Sequence, residues 1–373
     1  MRIVSVVPYP FLPATTGGEI STAGLLCELS KKHEVTAFTV EPYKAGYEHQ
    51  VGNTEVVYAM PFKSSRYYDF KLIGKLKKLV EQKRAEWMLF EQPWFGWIIA
   101  WLRLTTRYKI AMRSNNIEYL RFKSMGKWFW QILYIYEKFT YKAAHLVFFV
   151  SEADRKKAIY EFDLNPENTL LTPYGVHDVE MPTTASQEAI LSLKSELGIS
   201  AHEQMILFFS TLSYAPNYEA VIAIADEVYP RLKQQGVAFK LIICGKGLPE
   251  HIKNKLTDKE ETAYLGFVED INLYIDAADV MLNPILSGGG VKTKAIDTLA
   301  RNQRVISTQT GAEGIDADVC GNNLVIVPDN DWDAFVNAII KNTNQPKQLP
   351  ESFYQTYSWN NIIDKIINRL NQG

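Results

Sequence analysis

Residues 283–300 read Asn-Pro-Ile-Leu-Ser-Gly-Gly-Gly-Val-Lys-Thr-Lys-Ala-Ile-Asp-Thr-Leu-Ala, and this stretch decides the fold of the second half of the chain. It follows a predicted strand and leads into a predicted helix, with Gly288, Gly289 and Gly290 at the junction. Consecutive glycines let backbone N–H groups point at an anion, and a helix N-terminus adds partial positive charge. The stretch therefore predicts a phosphate-binding turn at the carboxyl end of a strand in an α/β sheet.

Charged side chains follow the glycines. We expect Lys292 and Lys294, just after Val291, to supply positive charge to phosphate oxygens. Asp297 lies one to two turns into the predicted helix, where its carboxylate can accept hydrogen bonds from the two hydroxyls of a ribose. The alternative interpretation is a flexible loop before a helix whose charges are solvated.

Strand-like and helix-like segments alternate in both halves of the chain. Short apolar runs predict strands over residues 3–7, 34–40, 55–58, 87–90, 109–112, 146–150, 205–210, 239–244, 262–264, 280–283, 304–307 and 324–327. Helical patterns between them include residues 20–29, 126–143, 218–234 and 292–300. This order predicts two Rossmann-like, doubly wound parallel-sheet domains, and a polar break at residues 181–187 predicts their boundary near residue 185.

The composition is that of an ordinary globular protein, with 47% hydrophobic and 22% charged residues and a net charge of −2. The first apolar run ends at Pro8, which is typical of a buried first strand and not of a signal peptide. Cys27, Cys244 and Cys320 are scattered, which favours a reducing compartment, so we expect a cytoplasmic protein. No nucleic-acid motif is present, and we find no Asp-x-Asp triplet or His/Asp cluster placed to hold Mg²⁺ or Mn²⁺.

The first half of the sequence carries a basic excess in two places. Within residues 60–84, lysines alternate with leucines at helical spacing, and residues 121–130 mix cations with large aromatic side chains. Basic amphipathic helices can lie on anionic membranes, so we expect peripheral contact with the inner face of a membrane. A solvated helix face with a buried apolar side explains the first pattern equally well.

A second glycine turn follows the first predicted strand. Residues 13–19, with Gly17 and Gly18, are predicted to form a loop before a helix, where backbone N–H groups can approach an anion. The sequence lacks a complete Gly-x-Gly-x-x-Gly fingerprint, so a plain turn is the alternative.

The order of these motifs resembles the retaining GT-B glycosyltransferases of family 4, also called glycosyl transferases group 1. The resemblance runs from Asn283-Pro284 through the glycines and lysines to Gly311-Ala312-Glu313-Gly314-Ile315. It extends upstream to similar segments at residues 113–118, 150–154, 173–176, 210–217, 243–247 and 265–270. The resemblance therefore covers nearly the whole chain.

The family implies a GT-B fold, in which two Rossmann-like domains face a central cleft. The expected divisions are an acceptor-binding domain at residues 1–185, a nucleotide-sugar-binding domain at 186–350, and a helix at 351–373 that crosses back to the first domain. The implied activity moves a sugar from a UDP- or GDP-linked donor to a glycan or lipid-linked acceptor. Retention of anomeric configuration is expected, with no metal and no cofactor besides the substrate.

The resemblance also implies residue roles. Gly17 and Gly18 would face the donor phosphates or the acceptor, Phe267 and Val268 would lie beside the base, and Asp297 would hold the ribose. The donor-binding residues expected from the motifs are Gly17, Gly18, Tyr214, Asn217, Gly245, Phe267, Val268, Gly288, Gly289, Gly290, Val291, Lys292, Lys294 and Asp297. Glu91, which ends a predicted strand, is the candidate acceptor contact, with a solvated carboxylate as the alternative; with Asn116 and Lys292 it forms the expected catalytic set.

Three departures from the family pattern keep other functions open. Gly289 replaces the first of two motif glutamates, Tyr214 and Asn217 replace a usual Arg and Lys, and Asn115 replaces a usual His. The hypothesis is that Lys292 and Lys294 supply the missing phosphate charge. A sugar-nucleotide epimerase and a non-catalytic nucleotide-sugar-binding subunit remain alternatives, whereas a nicotinamide dehydrogenase is disfavoured because neither half carries the full fingerprint.

Overall fold

The computed structural model describes residues 1–42, 44–177, 184–342 and 348–372. It divides into two compact units, residues 1–175 with 356–373 and residues 176–355. Each unit is a parallel sheet with helices, which confirms the predicted pair of Rossmann-like α/β folds. Part of the predicted junction, residues 181–183, lies outside the described residues, and a helix begins at Thr184.

The thirteen strands of the described chain follow the predicted β runs closely. They are β1 (Arg2–Val7), β2 (Glu34–Val40), β3 (Glu55–Met60), β4 (Trp87–Glu91), β5 (Lys109–Ser114), β6 (Leu146–Phe149), β7 (Thr169–Leu171), β8 (Gln204–Phe209), β9 (Phe239–Cys244), β10 (Thr262–Gly266), β11 (Val280–Asn283), β12 (Val305–Thr308) and β13 (Leu324–Val327). Only β7 has no predicted counterpart, because three residues are too short to give a periodic signal.

The α-helices alternate with these strands. They are α1 (Gly17–Ser30), α2 (Lys71–Lys83), α3 (Gly96–Thr105), α4 (Glu118–Ser124), α5 (Trp130–Ala143), α6 (Glu152–Phe162), α7 (Thr184–Glu196), α8 (Ala215–Ala223), α9 (Tyr229–Gln234), α10 (Glu250–Thr257), α11 (Ile271–Ala277), α12 (Thr293–Ala300), α13 (Trp332–Asn342), α14 (Glu351–Tyr357) and α15 (Trp359–Gln372). A π-helical turn, Ile224–Val228, joins α8 to α9.

Strand order creates a switch point in each sheet. The first sheet runs β3-β2-β1-β4-β5-β6-β7, and the second runs β10-β9-β8-β11-β12-β13. The order reverses between β1 and β4 in the first sheet and between β8 and β11 in the second. Ligands of such sheets bind outside the carboxyl ends of the strands at this reversal, so the loops after these four strands define where to search.

The central strands of each sheet are buried on both faces, as expected for parallel strands. In the first unit, Val4, Val6 and Phe90 pack into one core, while Ile3 and Leu89 pack into another with α1 and α15. The last helix therefore completes the first unit. Its Trp359 lies against Gly24 and Gly175, where an added Cβ would come within 2.7 and 2.2 Å of the indole ring.

Several helix boundaries differ from the predicted ones for local reasons. The segment predicted as a loop over residues 13–19 already turns helical at Gly17, because Thr16 and Glu19 form a capping box. The helix predicted from residue 126 begins at Trp130, since Gly126 takes a φ of +66°. The helix predicted over residues 218–234 begins at Ala215, with Pro216 in its first turn, and is interrupted by the π turn.

Candidate functional site

The glycine turn of the second unit lies at its sheet's switch point. It follows β11, while the loop of residues 210–214 follows the neighbouring strand β8. Gly288 and Gly290 have φ values of +85° and +80°, a backbone region that side chains rarely adopt. Gly289 between them is exposed and offers no side chain. The turn is therefore open backbone at the place where this fold binds ligands.

The turn is held in place by the beginning of α8. A Cβ added to Gly288 would lie 3.0 Å from Pro216 and 3.1 Å from the Tyr214 hydroxyl. Ser287 donates a 3.0 Å hydrogen bond to Glu219 on the same helix. The predicted donor residues Tyr214 and Gly288 are thus brought together by direct packing.

Lys292 is bound to the turn itself. Its Nζ donates to the carbonyl oxygens of Gly288 at 3.1 Å and Gly290 at 2.7 Å. Burial lowers the pKa of this lysine, and the nearby charge of exposed Glu313 opposes that shift. With the carbonyls turned toward the ammonium group, Lys292 fixes the shape of the turn and keeps a positive charge within it.

Lys294 differs from the expected phosphate ligand because its ammonium group points inward. Its Nζ is inaccessible, has no hydrogen-bond partner within the described chain, and lies 4.5 Å from the ring centroid of Phe208 on β8. Burial, followed by the charge of Lys292, lowers its pKa to about 7. In this conformation the Lys294 ammonium group does not face solvent. Of the two lysines predicted to face a phosphate, only Lys292 keeps its charge at the turn.

Glycines also shape the neighbouring strand ends. Gly245, after β9, has a φ of +138°, and an added Cβ would lie 1.8 Å from the backbone oxygen of Ser210. The Gly245 N–H donates to Gly266 at the end of β10, and the Leu212 N–H donates to Lys246. These contacts draw the loops after β8, β9 and β10 into one edge.

The remaining predicted donor residues lie along this edge or beside the turn. Phe267 is 61% exposed, with Lys246 Nζ 3.8 Å from its ring centroid, whereas Val268 packs into the core below. The Asn217 side chain donates to the carbonyl oxygen of Thr211. Asp297 is half-buried on α12, and Val291 precedes that helix.

A different kind of site occupies the switch point of the first unit. Glu91, at the end of β4, is 1% exposed and pairs with Arg113 on β5, whose Nη1 lies 3.2 Å from its Oε2. Arg113 Nη2 donates to Ser21, and the Thr22 hydroxyl donates to Glu91, both from α1. The Tyr9 hydroxyl lies 2.9 Å from the Thr22 hydroxyl. We call Glu91, Arg113, Ser21, Thr22 and Tyr9 the α1 polar cluster. Its burial shows that the alternative of a solvated Glu91 carboxylate is wrong, and the same burial leaves Glu91 no surface for the predicted acceptor contact.

Burial leaves this cluster with incompletely paired groups. Glu91 Oε1 and Arg113 Nε are inaccessible and have no hydrogen-bond partner among the described residues, and the same holds for Gln92 Oε1 beside them. Burial raises the pKa of Glu91, although the Arg113 charge opposes it, and burial with the Glu91 charge raises the pKa of Tyr9. Gln92 also has a φ of +67°, and strained residues of this kind concentrate at functional sites.

Asn116 and the first glycine turn lie at the same edge of the first sheet. Asn116 follows β5, and its side chain hydrogen-bonds to Glu118. Burial raises the pKa of Glu118, while the Arg121 charge and this hydrogen bond oppose the shift. Gly17 and Gly18 form the first turn of α1 and not a preceding loop, and an added Cβ at Gly18 would meet open space. Glu19 already accepts the N–H groups of Thr15 and Thr16, so the capping box occupies the amides before the glycines.

Sequence reasoning missed the partners that define the first-unit cluster. Arg113 directly follows the apolar run Ile110-Ala111-Met112 in β5, and a charged residue within a buried strand was the available signal. Ser21 and Thr22 carry no comparable signal, because small hydroxyl residues are common on helix surfaces.

Sequence comparison identifies the family. A model described as Glycosyltransferase Family 4 matches residues 15–179, and one described as Glycosyl transferases group 1 matches residues 203–344. This chain belongs to the group 1 glycosyltransferases. The glycosyltransferase is 22% identical over 305 residues to a 44.6 kDa protein in the cps region of Klebsiella pneumoniae, covering 77% of this chain and 72% of that protein.

Two further comparisons concern a second relative and the fold. A glycosyltransferase of Methanocaldococcus jannaschii is 24% identical over 252 residues, covering 61% of this chain and 60% of that protein. The crystal structure of Anabaena HepE in complex with UDP superimposes with a TM-score of 0.75 at 16% identity, covering both chains completely. At that identity the likeness shows the fold, and it confirms the GT-B class of the glycosyltransferase.

Two features are absent from the described residues. No helix among them is long and apolar enough to cross a bilayer. Within the same ranges, no group of three or more His, Cys, Asp and Glu side chains is arranged to hold a metal ion.

Proposed function

We propose that this glycosyltransferase holds a nucleoside diphosphate sugar on its second unit and transfers the sugar, with retention and without a metal, to a glycan or lipid-linked acceptor. One observation carries the proposal. The glycine turn at the second switch point combines open backbone with the Lys292 charge, and the Asp297 carboxylate follows one turn into α12. UDP is the favoured nucleotide, because the similar HepE structure is a complex with UDP.

The turn suits the leaving group of the reaction. Cleavage of the anomeric bond leaves negative charge on the diphosphate, and fixed N–H groups with a preorganised cation stabilise such charge best. Lys292 is preorganised, since two backbone carbonyls hold its ammonium group. Asp297 is assigned to the ribose hydroxyls, and Phe267, which is exposed at the neighbouring strand end, to the base.

Metal independence and retention are the finer parts of the proposal. Lys292 and the turn amides would neutralise the diphosphate in place of a divalent cation. Transfer should therefore survive EDTA, and NMR of the product should show the anomeric configuration of the donor. Loss of transfer in EDTA with recovery on adding Mg²⁺, or an inverted product, would each refute the corresponding part.

The acceptor is assigned to the first unit. The α1 polar cluster lies at the switch point of that sheet, beside Gln92 and Asn116. Because Glu91 is buried beneath this edge, its proposed role is to hold Arg113 and α1 in place below the acceptor. Peripheral contact of the first unit with the inner face of a membrane, suited to a lipid-linked acceptor, is part of the same proposal.

Donor binding can be tested directly. Thermal shift with UDP-, GDP- and dTDP-sugars should raise the melting temperature most for the cognate donor, because ligands stabilise the state they bind. Asp297→Asn should weaken that donor by about 1–3 kcal/mol, since it alters hydrogen bonds to a charged acceptor. Asp333→Asn, an exposed carboxylate of α13, serves as the control. Equal shifts for both variants would argue against the assigned ribose contact.

A non-catalytic binding subunit is the second candidate, and Gly289 is the observation that favours it. This exposed position carries no carboxylate, where the family pattern has a glutamate. Titration calorimetry that detects donor binding, together with no transfer to lipid-linked or glycan acceptors and no donor interconversion, would favour this candidate. Donor interconversion without an acceptor would instead indicate an epimerase.

A further inference from the structure

Helix α5 exposes apolar side chains on the side that faces away from the core. Ile132, Ile135 and Phe139 are 61%, 68% and 49% exposed, and their spacing places them on one side of the helix. Met125 and Trp128, in the connection immediately before α5, are 56% and 78% exposed. We call these five residues the α5 stripe. Exposed apolar patches of this kind mark interaction surfaces on soluble proteins.

The opposite side of α5 is already committed to the protein core. Tyr141 packs with the first-unit core and Thr140 is fully buried. Buried Glu137 accepts hydrogen bonds from the N–H groups of Glu118 and Tyr119. The helix therefore has its own anchoring side, and the α5 stripe is not needed to hold it in place.

Helix α2 lacks such a stripe, although its sequence suggested a membrane-binding helix. Leu72, Leu76 and Leu79 are all buried in the core, and the exposed positions of α2 are three lysines, a glycine, a glutamate and a glutamine. A helix whose apolar side is packed against the core can attract a membrane by charge but has no apolar side chains to insert into it. The α5 stripe supplies the exposed apolar side chains that α2 lacks.

The charged side chains around α5 indicate which kind of surface binds the α5 stripe. Residues 119–151 contain five basic side chains and one acidic side chain, and that one, Glu137, is buried. Lys123 and Lys127 are exposed next to the stripe, Lys142 pairs with exposed Asp163, and Arg103 of α3 reaches the end of α5. A second copy of this chain would bring like charges together, whereas an anionic lipid surface complements them.

We propose that α5 lies on an anionic membrane, with the α5 stripe in the acyl boundary and the flanking cations at the phosphate headgroups. Trp128 suits this depth, because tryptophan is enriched at membrane interfaces. The inference deepens the membrane contact of the proposed function by assigning it to one surface and one lipid charge.

Vesicle sedimentation tests the assignment without any sugar transfer. The intact protein should sediment with vesicles of phosphatidylglycerol and phosphatidylcholine and remain in solution with phosphatidylcholine alone, and added salt should weaken binding. Ile135→Ser should reduce the bound fraction at least tenfold. Leu191→Ser on α7 should not, although Leu191 is also 68% exposed. Equal binding of both variants, or equal binding to neutral vesicles, would overturn the proposal.

Two further readouts separate the other outcomes. Ile135→Ser should keep the wild-type thermal shift with donor, so a loss of donor binding would indicate misfolding; Ile132→Ser then repeats the test. Sedimentation velocity that finds a dimer abolished by Ile135→Ser, with no vesicle binding by wild type, would assign the stripe to self-association and refute the membrane proposal. Donor binding without vesicle binding would overturn this inference and leave the transfer proposal standing.

Discussion

The two switch points occupy the same position in the same fold, but one is built from backbone and the other from side chains. In the second unit, the site is backbone: positive-φ glycines, close approaches between loops, and a lysine that holds carbonyl oxygens. In the first unit, the position is filled by side chains, with Glu91 and Arg113 buried together beneath α1. Under the proposed function this difference fits the two ligands, because a diphosphate is common to many donors and suits fixed amides, whereas acceptors differ and require side chains that can vary. The difference also predicts which substitutions destabilise each site. Added atoms should destabilise the backbone site, whereas removed atoms should destabilise the side-chain site.

The largest effect is expected from adding one methyl group to the backbone site. Gly245→Ala forces a Cβ to within 1.8 Å of the Ser210 oxygen at a φ of +138°, so it should lower the free energy of unfolding by about 5 kcal/mol or more. Gly236→Ala, with φ +67° and open space around it, should cost about 1 kcal/mol. Urea denaturation measures both. Similar costs would mean that the loops after β8 and β9 are not held as closely as described.

Removing one charge from the side-chain site should have the next largest effect. Arg113→Met leaves Glu91 buried without its cation, which should cost about 3–5 kcal/mol of unfolding free energy. The double variant Glu91→Gln/Arg113→Met removes both charges and should recover much of that loss. If the single variant is as stable as the double variant in urea, the pair contributes little to this unit.

A smaller effect, on binding, is expected at the glycine turn. Lys292→Ala removes the charge within the turn and the bonds to Gly288 and Gly290, so donor affinity should fall by about 1.5–3 kcal/mol. Lys240→Ala, near the amino end of β9, removes the same charge away from the turn and should leave affinity unchanged. Titration calorimetry distinguishes them, and full affinity in the Lys292 variant would remove this lysine from the donor site.

The smallest effect is a gain in stability with a defined pH dependence. Lys294 has a pKa of about 7 when folded, below its ordinary value of 10.5, so between these values the unfolded chain holds a proton that the folded chain has released. Wild-type stability should therefore rise with pH across this window. Lys294→Met should add about 1–2 kcal/mol at pH 6, and its advantage should shrink by pH 10. Urea midpoints at both values test this, and a pH-independent difference would place the ammonium group in solvent.

The sequence predicts the parts of this molecule that depend on local pattern. Short apolar runs locate twelve of the thirteen strands of the described chain, and three glycines before a helix locate the turn. Both signals are local, because strand burial and positive φ restrict the residue type at the position itself.

Features that depend on distant contacts could not be predicted. The direction of Lys294 depends on Phe208, more than eighty residues earlier in the chain, and the burial of Glu91 depends on α1 and Arg113. A lysine after a glycine turn has the same sequence pattern whether its ammonium group points outward or inward. The exposed stripe of α5 was hidden for a related reason, since apolar residues on both sides of a helix do not reveal which side is packed.

Trp359 gives the first unit an unusual dependence on the order of synthesis. During translation, residues 1–175 leave the ribosome long before Trp359, whose indole fills the space between Gly24 and Gly175. The isoleucines of α15 that cover α1 are also synthesised last. Until then, the nascent first unit must keep an apolar surface uncovered. A chaperone that shields this surface, or slow elongation through the second unit, would thus affect the yield of folded enzyme more than either unit's own stability suggests.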